Sequence, residues 1–137
     1  MIGIDTNILL RLATRDDAAQ VKKVTRWLAA HAPAVPLHVN QVVLAEALWT
    51  LKSSYGYDRA HLVAFVDALL GNAVFDIEGA ALVEDALGMF ASGNAEFPDC
   101  LIFAKNGRHC NATITFDRAA RDLPGCVYFN RAMRIDI

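Results

Sequence analysis

Residues 1–12 read MIGIDTNILLRL. A short apolar run from Met1 to Ile4 stops at Asp5, which suits a buried strand, and a helix starting at Thr6 with Asp5 as its N-cap is the natural continuation. The same grammar recurs further along. Ala112 to Phe116 (ATITF) alternates β-branched residues and stops at Asp117, with a short helix from Arg118 to follow. Cys126 to Phe129 (CVYF), after Pro124 and Gly125, reads as a third strand, and Ala34 to Leu37 and Ala73 to Ile77 are further candidates.

Helical periods lie between them. Asp17 to Ala30 carries Val21, Val24, Trp27 and Leu28 on one face, and Asp58 to Leu70 repeats Leu62, Phe65, Val66, Leu69 and Leu70. Asn40 to Tyr55 is apolar nearly all round, the pattern of a buried helix, and places Trp49, like Trp27, in the core. Ala80 to Phe90 and Pro98 to His109 complete the set. Apolar strands interspersed with helices predict an α/β fold with a mainly parallel central sheet covered on both sides. No repeat or linker interrupts the 137 residues, so one domain over 1–137 is expected.

Composition narrows the function. The chain has 13 Lys and Arg against 15 Asp and Glu, a net charge of −2, which argues against holding nucleic acid by bulk positive charge. No segment approaches the roughly 20 apolar residues of a membrane span. The start lacks a basic n-region before its apolar stretch and meets Asp5 early, so it is not read as a signal peptide, and cytoplasmic residence is expected. Cys100, Cys110 and Cys126 show no CxxC spacing and are taken as small hydrophobes. His31, His38, His61 and His109 lack HxH or HExxH spacing and read as surface or satisfied histidines.

Most acids have water or a basic neighbour at hand: Asp16 and Asp17, Asp58 beside Arg59, Glu84 and Asp85, Asp122 beside Arg121, Asp136 near Arg134. Asp67 falls opposite its helix's apolar stripe and should be solvated. Four are left whose context does not solvate them: Asp5, Glu46, Asp99 and Asp117. Capping explains three singly, since Asp5 and Asp117 open helices and Asp99 follows Pro98 in a first turn. Glu46 resists, lying mid-helix on the stripe of Val42 and Trp49, where an ionised carboxylate needs a partner from elsewhere. Asp5 and Asp117 also both follow predicted parallel strands, hence emerge at the carboxyl edge where open α/β folds place their sites. Acids clustered without His or Cys suit Mg²⁺ or Mn²⁺, and such a site supports phosphodiester hydrolysis.

The segments GIDTNILLRL, AEALW, EFPDCLIFAK and ITFDRAARDLPG, in that order, resemble the PIN-domain nucleases, and among them the VapC toxins of prokaryotic toxin–antitoxin pairs, from Ile2 to about Val127. The resemblance implies a three-layer α/β/α sandwich and a Mg²⁺- or Mn²⁺-dependent endoribonuclease leaving 5′-phosphate and 3′-hydroxyl ends. It also implies homodimerisation and neutralisation by a small cognate antitoxin. Asp5, Glu46, Asp99 and Asp117 match the family's catalytic, metal-binding acids, and Asn7 and Thr115 match its DxN and T/S-x-D positions, where they orient acids or waters or merely make local turn bonds. At Glu96, where relatives often have Asp, two readings stand: a further metal ligand, or a residue favouring the helix start. Whether one metal binds or two stays open with it.

From Ala60 to Ala104 there are seven acids and no Lys or Arg, whereas Lys105 onward has six basic residues against three acids. RNA backbone contacts therefore fall to Arg11, Arg15, Arg118 and Arg121, adjoining the acidic motifs, unless these are simply solvated surface arginines. A haloacid-dehalogenase-like phosphatase also begins with Asp at a strand end, but it wants a second Asp where this chain has Asn7. Two further functions fit the motifs: a processing nuclease outside any toxin pair, and a PIN-like binding module without strong catalysis.

Overall fold

The computed structural model describes residues 1–32 and 34–130; Arg131, Arg134 and Asp136 lie outside them. It divides into two compact units, Met1–Ala80 and Ala81–Ile137. Among the described residues there are six α-helices and five strands, and every strand pair is parallel. The fold is α/β, as the alternating segments predict.

The first unit contains β1 (Ile2–Gly3), α1 (Thr6–Thr14), α2 (Ala18–His31), β2 (Leu37–Val39), α3 (Gln41–Tyr55), α4 (Arg59–Leu70) and β3 (Phe75–Ile77). Its sheet has the order β1-β2-β3, with Ile2 opposite Leu37 and Leu37 opposite Phe75. β2 begins at Leu37, where the expected strand 34–37 ends. Pro36 has no N–H for a ladder and contributes only its carbonyl, to the Ile2 N–H at 2.9 Å, so regular pairing starts after it.

Short polar side chains set the helix starts. Asp5, Asp17, Asn40 and Asp58 accept the N–H of the third residue on, from Ile8, Gln20, Val43 and His61, at 2.8–3.1 Å. α3 stops at Gly56, whose φ of +70° is a left-handed cap conformation.

The core of this unit gathers Leu9, Leu37, Val39, Leu44, Ala47, Leu48, Leu51, Leu62 and Val66. α3 is not buried all round. Val43, Leu44, Ala47, Leu48 and Leu51 form its inner face, while Val42 is 67% and Trp49 57% exposed. Trp27, at 36% exposure, is also no core residue; it stacks on His31 at 4.0 Å. Asp67 is exposed, as its position opposite the α4 stripe predicts.

The second unit contains α5 (Ala80–Ser92), α6 (Phe97–Asn106), β4 (Thr113–Thr115), a 3₁₀ turn (Arg118–Ala120) and β5 (Cys126–Tyr128), with Thr113 opposite Cys126. Val83, Ala86, Phe90, Phe97 and Cys100 are buried, and the rings of Phe90 and Phe97 meet edge to face at 5.9 Å. α6 ends before Gly107 and not at His109. Of the cysteines only Cys100 is buried; Cys110 is exposed, so its environment is not that of a small hydrophobe. No helix among the described residues is long and apolar enough to cross a membrane.

Candidate active site

In the first unit the strand–acid–helix order puts Asp5 at the carboxyl end of β1. Its Oδ1 accepts the Ile8 N–H at 3.1 Å, so the predicted cap forms. The next residue adds something the sequence did not disclose. The Thr6 hydroxyl donates to Glu46 Oε2 at 2.8 Å, tying the middle of α3 to the first turn of α1.

Glu46 is therefore not an interior carboxylate in need of a cation. It is exposed, because its stripe of Val42, Glu46 and Trp49 is the outer face of α3, and a hydroxyl satisfies one oxygen. Asn7 is exposed in the same first turn. A mostly apolar cavity of about 480 Å³ adjoins Asp5, with Ile4, Ile8, Val24, Trp27 and Leu28 in its wall and Lys23 among them.

The arginines of this unit differ. The Arg11 guanidinium pairs with Asp16 and lies 3.5 Å from the Tyr55 hydroxyl, while its Nε is buried without a partner. That network occupies Arg11 inside the protein. Arg15 is exposed and caps α1 in a left-handed conformation, φ 54°.

In the second unit Glu96 occupies the N-cap position of α6 without a side-chain cap bond, and Pro98 stands in the first turn. Asp99, in that same turn, reaches back to accept the Glu96 backbone N–H, the carboxylate half of a capping box. The Asp99 carboxyl also hydrogen-bonds to that of Asp117. Asp117 follows β4: its N–H donates to Thr115 Oγ1 at 3.0 Å and its Oδ1 accepts the Ala119 N–H at 2.9 Å. Thr115 thus anchors the Asp117 backbone, and the Ala119 N–H orients its side chain.

Electrostatics single out Asp99. Partial burial, then the negative charge of Asp117 and its hydrogen bond, then Glu96, push its carboxyl above the ordinary range. Ionised Asp99 therefore carries a cost that a cation beside the pair would offset. Of the four acids, Asp99 alone is half-buried, and Asp5, Glu46 and Asp117 are exposed. Arg118 and Arg121 flank Asp117 on the surface, with Arg121 3.9 Å from Asp122.

Within each unit the described residues form no group of three or more His, Cys, Asp or Glu side chains able to hold a metal ion. The Asp99–Asp117 pair and the Thr6–Glu46 contact are the two arrangements through which the acids are fixed. Thr6, bonded to Glu46, is a candidate site residue that motif spacing misses, although its place directly after Asp5 is a visible signal.

No curated protein and no solved structure matches the chain. The profile of the PIN domain matches residues 2–125, spanning both units and every acidic motif. The parallel strands, the acids that follow β1 and β4, and this match over nearly the whole sequence agree, and the chain belongs to the PIN-domain family, whose members are generally nucleases.

Proposed function

We propose that the chain is a single PIN domain acting as a metal-dependent endoribonuclease of the cytoplasm, the VapC-like toxin of a toxin–antitoxin pair. The observation that carries this reading is the Asp99–Asp117 carboxyl pair, with the Ala119 N–H bound to one Asp117 oxygen and the charge of Glu96 beside Asp99. Its hard oxygen donors fit Mg²⁺ or Mn²⁺; burial raises Asp99 first and the charges of Asp117 and Glu96 add to it, and a divalent ion would offset that negative charge. Motif order adds Asp5 and Glu46 to the catalytic acids, and Glu96 as a further candidate ligand.

Bound there, the ion supplies charge neutralisation for the phosphodiester and activation of water. The chain's own residues orient the acids. The Ala119 N–H and Thr115 hydroxyl set Asp117, the Glu96 N–H sets Asp99, and the Thr6 hydroxyl sets Glu46. Water adds to phosphorus and the bond to O3′ breaks, leaving a 5′-phosphate and a 3′-hydroxyl. Arg15, Arg118 and Arg121 are exposed beside the acidic motifs and available to RNA phosphates. A small antitoxin and a second copy of the chain are the proposed protein partners; the apolar cavity beside Asp5 supports the first, being a surface where an apolar helix face would be buried.

The test is cleavage of total cellular RNA by the purified protein with Mg²⁺ or Mn²⁺, with end mapping. Activity that survives EDTA or Asp99→Asn would overturn the metal mechanism. Growth arrest on expression, relieved by a short neighbouring gene, is expected of the toxin. RNA cleavage with harmless expression would assign a processing nuclease, and intact binding without cleavage a PIN-like binding module.

A further inference from the structure

We infer that Trp49 is a stacking residue for a nucleobase of single-stranded RNA, positioning the chain beside Glu46; this rests on the endoribonuclease reading. Trp49 is 57% exposed on a helix whose opposite face, Leu44, Ala47, Leu48 and Leu51, is wholly buried. It stands on one stripe with Val42 and Glu46, at i, i+4 and i+7. Helical side chains lean toward the N-terminus, so the indole covers the turn that carries Glu46. Glu46 in turn is held by Thr6, the residue after Asp5. An open aromatic face thus lies one helical turn from a candidate catalytic acid.

Unstacked bases of single-stranded RNA are held by aromatic faces, and such stacking tolerates any base because each has a π-face. A nucleic-acid ligand accounts for this stripe better than a second protein copy does. The stripe has a carboxylate at its centre, and a protein interface laid over it would have to desolvate that charge and supply it with a partner. A stacked base covers the indole and leaves Glu46 open to water and to a cation.

The experiment uses Trp27→Phe as background, which leaves Trp49 the only one of the chain's 2 tryptophans. Mixed-sequence single-stranded oligoribonucleotides with Mg²⁺ are expected to quench its emission. Trp49→Leu is expected to raise KM by about 10- to 100-fold with little change in kcat, and Trp49→Phe to restore most of the loss. Oligonucleotides made abasic at successive positions should bind the Trp49 protein poorly at one of them and the Trp49→Leu protein equally at all. RNA cleavage with unchanged KM in Trp49→Leu would overturn the stacking role and leave the nuclease standing. Rescue by Leu as well as Phe, together with a change of oligomeric state in Trp49→Ala, would assign the stripe to a second copy and overturn it too. Failure of the parent protein to bind or cleave any RNA would remove the nuclease reading and this inference with it.

Discussion

The phenolic hydroxyl of Tyr55, the last residue of α3, donates a 2.6 Å hydrogen bond to Oδ2 of Asp16, in the turn between α1 and α2. Thr14 Oγ1 donates to the same carboxylate at 2.8 Å and Arg11 pairs with it, so three donors from two helices converge on one acid. Tyr55 is the largest influence, and Asp16 is pulled from the ordinary 3.8 down to about 2.

A depressed carboxylate stabilises the fold while ionised. The Asp16 contribution is therefore fully present above about pH 3.8 and lost as pH falls through about 2. Thermal melts of Asp16→Asn should show a lower Tm at neutral pH and a shallower loss of stability on acidification. Tyr55→Phe should produce a smaller change in the same sense. An acid limb unaltered by Asp16→Asn would show that the network contributes nothing.

Asp99 has the opposite sign. Its carboxyl is raised, so the folded state favours the protonated form and loses stability as pH rises through the raised value. Asp99→Asn should raise Tm by a few degrees at neutral pH in EDTA, because the amide keeps an acceptor for the Glu96 N–H without the charge. Cleavage should fall by more than the roughly 10- to 100-fold that loss of a supporting partner costs. Calorimetry and an RNA cleavage assay check the two halves independently.

Thr6→Val removes the hydroxyl that holds Glu46 while preserving shape. A loss of about 10- to 100-fold in kcat is expected, with Tm little altered and activity restored by Thr6→Ser. A Thr6→Val protein as active as the parent would make that hydrogen bond incidental.

Gly56 stands at φ +70° with open space where a Cβ would lie. Gly56→Ala should therefore cost about 1–2 kcal/mol through backbone conformation alone. Chemical denaturation measures this directly, and no change would mean that the chain shifts out of the left-handed cap at no cost.

Much of the site is legible in the sequence because it is local. Asp5 and Asp117 end apolar runs and open helical turns, and both caps form within three residues of sequence. Asp99 after Pro98 is equally local. The rest depends on tertiary partners. With apolar residues on every side of α3 between Val42 and Leu51, periodicity does not tell its inner face from its outer one, so Trp49 and Val42 read as core and prove exposed. The contacts of Glu46 with Thr6 and of Asp16 with Tyr55 join residues 40 and 39 positions apart, and no spacing rule reaches that far. Arg11 reads as free for phosphate for the same reason: Tyr55, which helps to engage it, lies 44 residues on.

At Asp5 and Asp117 one carboxylate oxygen already serves the backbone of the following turn. Asparagine offers that turn an equivalent acceptor. Under the proposed function, exchange of either acid for its amide would thus silence the chemistry and spare the architecture. A chain inactivated this way would escape the proteases that clear unfolded protein and persist as an inert competitor for whatever partners the active form binds.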